Sequence, residues 1–285
     1  MSELTLGMSY TDEVVVKPAP NGLLGPAATV IVDEDPHWAM GLDHRVSDFV
    51  KVSVVHGEGA NAKSVVIHEG DDDDFFRNEV PFVIKVEFKA STFGTTPQEV
   101  NNLIEMYIEA ATQKAVEREF WTGELRDGMD DSNHLASTAA EVVNPSVGSP
   151  VKTKYGLALL EQALGDHGIG ERGVIHATRG VASALGFKGS NGRIETPIGN
   201  YLVAGTGYTG SGPEGTAPSG DQAWMYATGP VVVRLGPSEM YQDSTRVSID
   251  TRNNTIHYQG YRAASAYWTN NSHFAVLVDL AEDYS

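Results

Sequence analysis

The chain has 285 residues, and 41% of them are hydrophobic, which is enough for a folded core. Its 20 lysines and arginines against 38 aspartates and glutamates give a formal charge of −18, which counts against binding of nucleic acid through phosphate neutralisation. The absence of cysteine excludes disulfide bonds, thiolate nucleophiles and cysteine-ligated metal sites, and no run approaches the roughly 18 apolar residues of a membrane-spanning helix.

The first 45 residues are predicted to form an extended N-terminal arm. Only Ala27–Asp35 has the pattern of a short strand. The first residues lack the basic and apolar regions of a secretory signal, so none is expected. A segment of this kind cannot bury a core of its own, and we expect it to lie across another surface. Prolines interrupt its apolar runs at Pro18, Pro20, Pro26 and Pro36.

Strands are predicted to follow the arm. Val50–Gly57 and Ser64–Gly70 flank the polar segment Gly57–Lys63, a pattern typical of a long hairpin. After a run of aspartates, Val80–Phe93 predicts a return strand in which hydrophobic and charged residues alternate. One face of that strand is therefore expected to be buried and the other exposed.

The strongest local signal predicts a long helix over Thr96–Thr122. Thr96 is placed to cap it, Pro97 occupies the first helical position, and Glu99 follows three residues after the cap. Gly123 ends the pattern. A helix of roughly 25 residues would span about 37 Å, about twice the usual length, and is expected to act as a scaffold. Its apolar residues recur at steps of three and four, at Val100, Leu103, Ile104, Tyr107, Ile108, Ala111 and Ala115.

The second half of the chain mixes helices and strands and ends in strands. Helices are predicted over Thr153–Gly165, with three leucines on one face, and around Arg179–Leu185. Together with the first half, this mixture predicts an α+β fold. The predicted strands are Gly173–Ala177, Gly199–Gly205, Ala223–Gly236, Thr255–Trp268 and His273–Leu280, with a polar loop at Tyr241–Asn254.

Gly205, Gly207 and Gly210 form the pattern GxGxxG directly after a predicted strand. In dinucleotide-binding proteins a helix begins at this pattern, so that its N-terminus faces the pyrophosphate. The residues that follow, SGPEGTAPSG, are rich in glycine and proline and do not predict a helix. We therefore predict a flexible loop here and no nucleotide site.

Two acidic runs, Asp71–Asp74 and Asp127–Asn133, could attract a cation. Neither has the spacing of a calcium-binding loop, so exposed surface charge is the preferred interpretation and a bound cation the alternative. The histidines are scattered, and the nearest pair, His37 and His44, are seven residues apart. No metal-ligating set is predicted.

No group of residues predicts catalysis. Glu117 and Glu119 on the long helix have the pattern of a solvated face and not of an acid–base pair. The GxSxG elbow of serine hydrolases is absent. The sequence therefore predicts no catalytic, cofactor-binding or metal-binding residue. It predicts instead a non-enzymatic protein whose arm and hairpin contact other molecules.

A family resemblance rests on the order of the elements and on two segments. The segments are KVEFKASTFG at Lys85–Gly94 and RNNTIHYQGYRAASAYW at Arg252–Trp268. The chain resembles the major capsid proteins of tailed bacteriophages, which have the Hong Kong 97 fold. The resemblance implies an arm, an extended β-hairpin loop, a spine helix, a peripheral domain and an axial domain. The implied boundaries are 1–45 for the arm, 46–94 for the extended loop, 95–150 and 231–266 for the peripheral domain with the spine helix, and 151–230 and 267–285 for the axial domain.

The resemblance implies a structural protein that assembles into an icosahedral shell around a viral double-stranded DNA genome. Its implied partners are copies of itself in pentamers and hexamers, separate scaffold, portal and decoration proteins, and DNA enclosed without sequence-specific binding. The resemblance implies neither a bound cofactor nor an association with a membrane. Assembly would take place in the host bacterial cytoplasm, and the protein would reside in the virion. The alternatives are an encapsulin-like nanocompartment shell, a tail or decoration protein, and another soluble β-rich binding protein.

Some members of that family join subunits by a covalent bond between lysine and asparagine. This pairing is matched in residue type alone by Lys51 and Lys63 in the extended loop and by Asn253 or Asn254 in the polar loop Tyr241–Asn254. We predict that this chain does not form the bond.

Overall fold

The structure, a computed structural model, describes residues 17–45, 52–56, 63–68, 76–91, 97–126, 133–146, 148–167, 170–240, 248–250 and 255–281. Within these residues the chain forms three α-helices, two large β-sheets and two small two-stranded sheets. The protein is therefore α+β, as predicted. None of the described helices combines the length and the hydropathy of a membrane-spanning segment.

The regular elements follow the predicted order. The α-helices are α1 (Pro97–Thr122), α2 (Thr153–His167) and α3 (Arg179–Leu185). The strands are β1 (Ala28–Val32), β2 (Leu42–Arg45), β3 (Val52–His56), β4 (Lys63–His68), β5 (Phe76–Glu79), β6 (Phe82–Ser91), β7 (Glu141–Val142), β8 (Val151–Lys152), β9 (Val174–Thr178), β10 (Ile194–Glu195), β11 (Tyr201–Gly205), β12 (Gln222–Thr228), β13 (Val231–Leu235), β14 (Glu239–Met240), β15 (Ser248–Asp250), β16 (Thr255–Trp268) and β17 (His273–Asp279).

A six-stranded sheet is built around β16. This strand pairs antiparallel with β6, β13, β14 and β15, and β1 extends the sheet in parallel with β13. The alternation predicted for the return strand is confirmed in β6, where Phe82 and Ile84 are buried and Val83 and Lys85 are exposed. The buried face of β6 and β16 receives α1.

Helix α1 lies against this sheet through two isoleucines. Ile104 and Ile108 are buried and pack with Val86, Phe88 and Tyr258. The predicted span of the helix is confirmed, and it ends at a glycine with positive φ. The predicted stripe is less regular than expected, because Tyr107 remains 38% exposed.

Truncation of Ile104 to alanine is expected to reduce the free energy of unfolding by about 2–5 kcal/mol, because it leaves a cavity between α1 and the sheet. Glu105 is exposed on another face of the same helix, so Glu105→Ala should change stability by no more than about 0.5 kcal/mol. Thermal or denaturant unfolding measures both changes. Equal losses in the two variants would contradict this placement of the helix.

The seven-stranded sheet has the order β10-β11-β9-β12-β17-β7, and β8 also pairs with β17. Helices α2 and α3 cover it. The leucine face predicted for α2 is confirmed, because Leu157, Leu160 and Leu164 are all buried in the core that this sheet shares with α3. Helix α3 begins and ends at the predicted residues.

The predicted strand Ala223–Gly236 is divided between the two large sheets. β12 pairs with β9 and β17, whereas β13 pairs with β1 and β16. Gly229 and Pro230 separate them, and proline has no amide hydrogen with which to continue a ladder. The chain therefore crosses from one sheet to the other between Thr228 and Val231.

The N-terminal segment lies on the body of the subunit where the structure describes it. β1 forms an edge of the six-stranded sheet, and β2 pairs with β5. β3 and β4 form a two-stranded antiparallel sheet of their own, which agrees with the predicted hairpin. β6, inside the predicted extended loop, pairs along its whole length with β16. The division of the chain into arm, loop and two domains stays a prediction.

Candidate functional site

The last turns of α1 are enclosed on several sides. Glu117 and Glu119 are both buried there, so the predicted solvated face is wrong. The adjacent aromatic residues Phe120 and Trp121 are also fully buried. Adjacent residues lie about 100° apart around a helix, so burying both rings requires neighbours on more than one side. Phe120 packs edge-on against His176 and Trp268, and Trp121 packs against Tyr208 and Tyr226. A glycine-rich loop and the N-terminal segment are the neighbours of Glu117.

The Glu117 carboxylate binds both neighbours. Its Oε1 accepts a hydrogen bond from the amide of Leu23 at 2.9 Å. Its Oε2 accepts hydrogen bonds from the amides of Thr206 and Gly207, at 2.6 and 2.9 Å, and from the Thr206 hydroxyl at 2.9 Å. A buried carboxylate is stable only with such donors. We call these four residues, Glu117, Leu23, Thr206 and Gly207, the anchor site.

The GxGxxG loop therefore does bind an anion, but the anion is a side chain of the same protein. Backbone amides turned toward one point suit a carboxylate as well as a phosphate. Gly207 is required by the close approach of the loop to α1. A β-carbon there would lie 2.3 Å from the carbonyl oxygen of Lys114 and 2.6 Å from the amide nitrogen of Arg118. The loop is thus bound to the helix, where a flexible loop was predicted.

The N-terminal segment is held at the same place by further hydrogen bonds. The side-chain amide of Gln113 donates to the carbonyl of Ala19 at 3.1 Å. The amide of Ala204, at the end of β11, donates to the carbonyl of Asn21 at 2.8 Å. Leu23 has no exposed surface. The described stretch Ala19–Leu23 is therefore held between α1 and β11.

The glycine-rich loop also closes over the aromatic end of α1. The indole N–H of Trp121 and the hydroxyl of Tyr226 both donate to the carbonyl of Ser211, each at 3.1 Å. The Trp121 ring packs against Tyr208 and Tyr226, with centroids 4.7 and 5.0 Å apart. One loop thus joins α1 to the seven-stranded sheet.

A buried hydrogen-bond chain lies beside this loop. The Thr228 hydroxyl donates to the carbonyl of Gly229 at 3.0 Å, so it accepts from Nε2 of His176 at 3.0 Å. Nδ1 of His176 is then left to accept from the Tyr208 hydroxyl at 2.9 Å. This arrangement satisfies the neutral imidazole at both nitrogens.

Burial keeps two core histidines neutral. It lowers the pKa of His176 to about 3, and the nearby His273 acts in the same direction. It lowers the pKa of His273 to about 4, against the opposing effect of the hydrogen bond from its Nε2 to the Leu135 carbonyl. Burial also raises the pKa of Tyr208. His176 has no exposed surface, so a substrate could not reach it, and its role in the fold is structural.

The other sequence candidates do not form a site where they are described. His37 is on the surface, whereas His44 is buried and its ring stacks on Tyr267 with centroids 4.0 Å apart. In the described parts of the chain no three acidic or histidine side chains come together as metal ligands. Lys63 begins β4, and Asn133 is buried. The candidates outside the described residues are Lys51, Asp71–Asp74, Asp127–Ser132, Asn253 and Asn254.

Sequence reasoning missed the anchor site, although two signals pointed to it. The adjacent pair Phe120–Trp121 could not be buried on a single helix face. The GxGxxG pattern is not followed by a helix, so it indicated a loop whose backbone amides can donate to an anion. In an acidic protein with a long helix, a carboxylate of that helix was the available anion.

No protein-family model matches the sequence, and no curated protein matches it. Solved structures do match. The capsid of an empty GTA particle computed with C5 symmetry has 12% identity and a TM-score of 0.57, over 96% of this chain and 95% of that chain. A chain of Mycobacterium phage Cain has 9% identity and a TM-score of 0.54, over 95% and 94% of the two chains. The capsid of Ralstonia phage GP4 has 8% identity and a TM-score of 0.53, over 97% and 96%.

These matches run along the whole of each chain and therefore concern the complete subunit fold. At such low sequence identity the matches establish the fold, and they do not establish the role of any individual residue. The chain has the Hong Kong 97-type fold of phage capsids, as predicted from its element order.

Proposed function

We propose that this protein is the major capsid protein of a tailed bacteriophage, a structural subunit that assembles into an icosahedral shell around double-stranded DNA. One observation carries the proposal. Two of the matching structures are described as capsids, and each match covers at least 95% of both chains. A shared domain within proteins of different function would match over only part of their length.

The charge of the chain supports a container and not a DNA-binding role. A formal charge of −18 per subunit gives a wall that does not adhere to the genome it encloses. Copies in pentamers and hexamers are the expected partners, with separate scaffold, portal and decoration proteins. The virion, assembled in the host bacterial cytoplasm, is the proposed location.

The domain division belongs to the same proposal. Residues 1–45 would be the arm and 46–94 the extended loop. Residues 95–150 and 231–266 would form the peripheral domain, and residues 151–230 and 267–285 the axial domain. The seven-stranded sheet supports this division in part, since all of its strands except β7 fall within the proposed axial segments. The six-stranded sheet also takes in β1 from the proposed arm and β6 from the proposed extended loop.

The test is electron microscopy and sedimentation of the purified protein, alone and with proteins encoded beside it. We expect closed particles far larger than a subunit, because many weak contacts become strong together in a closed lattice. A stable monomer under all these conditions would overturn the proposal. Closed particles filled with a protein cargo would favour the nanocompartment alternative, and a specific complex without a shell would favour a tail or decoration protein.

The hairpin offers a variant that separates folding from assembly. We expect that replacing Gly57–Lys63 with a short glycine–serine turn leaves the subunit folded, because hairpin tips tolerate change at small thermodynamic cost. The same change should weaken the particles, because the proposed loop contact recurs at every subunit. Circular dichroism and sedimentation measure the two effects. An unfolded variant, or normally stable particles, would contradict this role.

A further inference from the structure

A groove of about 350 Å³ lies between α2 and the loop that joins β10 to β11. Leu157 and Ala158 of α2 form one wall, and Pro197 and Ile198 of the loop form the other. Ile198 is 72% exposed, which is unusual for a large aliphatic side chain. The groove is thus an apolar surface that the described residues leave uncovered.

Two arginines flank the groove on the side of this loop. Arg172 and Arg193 both contact the same oxygen of Glu195, at 3.4 and 3.3 Å. One carboxylate between two guanidinium groups leaves a net positive charge. An Nη2 atom of Arg172 lies 4.0 Å from where a β-carbon on Gly199 would stand, directly after Ile198. We call Leu157, Ala158, Pro197, Ile198, Arg172 and Arg193 the Ile198 surface.

The arginine beside the groove is held in a fixed orientation. The Arg172 guanidinium carbon lies 4.5 Å from the centroid of the Tyr201 ring. Stacking of this kind orients the planar guanidinium before a partner arrives, and a guanidinium matches a carboxylate in geometry. An apolar centre beside positioned charged groups is also the usual anatomy of a protein interface.

The groups placed at this surface carry a small excess of positive charge, unlike the molecule as a whole. Arg172 and Arg193 surround Glu195, and Lys154 and Glu161 both line the groove, whereas the whole chain has 38 acidic residues against 20 basic ones. Copies of so acidic a protein repel each other unless a local contact offsets the repulsion. A cationic patch on one copy facing an acidic surface on the next provides that contact, and a ring of identical subunits joins two different patches in this way.

We propose that the Ile198 surface binds an acidic surface of a second copy of this chain, and that this contact joins neighbouring subunits. The inference rests on the proposed shell function. Ile198 fills the dry centre of the contact, and Arg172 and Arg193 pair with carboxylates of the neighbour.

The absence of cysteine from the chain permits a direct test. Ile198→Cys is introduced, and its rate of reaction with a thiol reagent is compared in assembled particles and in dissociated subunits. We expect the rate in particles to fall at least about tenfold, because the neighbour covers the site. Leu125→Cys, at a side chain that is 61% exposed and lies outside the proposed arm and extended loop, is the matched control in the same two states. Equal reactivity of Ile198→Cys in both states would overturn the proposal.

Substitution tests the energetic role. Ile198→Asp should keep the melting temperature of the subunit, because the side chain is exposed, and should lower the yield of particles at least about tenfold. Leu125→Asp, at a side chain that is 61% exposed and lies in neither the proposed arm nor the proposed extended loop, should assemble normally. Normal particles from Ile198→Asp would overturn the proposal. So would protection of Ile198→Cys that disappears when DNA is removed from intact particles, because the occupant would then be nucleic acid.

The two proposals fail in different ways. If the unmodified protein forms no particles, the shell function is wrong, whatever the variants do. If it forms particles in which Ile198→Cys stays reactive, the shell function stands and the Ile198 surface is not the contact.

Discussion

Replacement of Glu117 with alanine is expected to reduce the free energy of unfolding by about 3–6 kcal/mol. The change leaves the buried amides of Leu23 and Gly207 and the partly buried amide of Thr206 without an acceptor. Each unsatisfied buried donor costs about 1–3 kcal/mol, and the partly exposed one costs less because water can replace the acceptor. Chemical denaturation measures the loss. Hydrogen exchange should also accelerate at the Leu23 amide, because the N-terminal segment loses its bond to α1.

Two further variants define the origin of this effect. Glu117→Gln keeps one acceptor oxygen and places an N–H group against the remaining donors, so an intermediate loss is expected. Glu105→Ala removes an exposed carboxylate from the same helix and should leave the Leu23 amide as protected as before. A loss below about 1 kcal/mol in Glu117→Ala would mean that water replaces the carboxylate and that the anchor site does not hold the segment.

Acid is expected to destabilise the subunit below about pH 6.5, the ordinary pKa of histidine. His176 and His273 have folded-state pKa values of about 3 and about 4, so the folded protein stays unprotonated at these sites where the unfolded chain takes up protons. Their contribution is complete above pH 6.5 and is lost as the pH falls toward these values. The slope is about 1.4 kcal/mol per pH unit for each histidine, or roughly 3 kcal/mol each between pH 6.5 and 4.

A comparison of variants separates the contribution of the histidines from that of the carboxylates, because every variant keeps the same carboxylates. His176→Gln is expected to be less stable at pH 7 but to lose stability with a shallower slope between pH 6.5 and 4. His37→Gln, whose side chain in the native protein is 90% exposed, should keep the slope of the unmodified protein. An unchanged slope in His176→Gln would show that this histidine is protonated in the folded state within that range.

Elements whose signals are local could be predicted from the sequence. The helix from Pro97 to Thr122 carries the sequence pattern of a cap, an apolar period and a terminating glycine of its own, so its limits follow from short-range physics. The long strand β16 and helix α3 were also located at both ends. The order of these elements was enough to predict the capsid fold. A fold is defined by the order and type of its helices and strands, so it could be predicted without knowing which side chains touch.

The anchor site depended on tertiary structure. Periodicity describes one face of one helix, and it placed Glu117 in solvent because it carries no information about what packs on the other faces. Two segments far apart in the sequence, at Leu23 and at Thr206–Gly207, enclose that end of α1 and supply the donors. The same holds at Thr228–Val231, where pairing with distant strands divides one apolar run between two sheets. Local patterns determined where helices and strands form. Only the packing of remote segments decided which charges are buried, because the energy of a buried charge depends on neighbours that the local sequence does not contain.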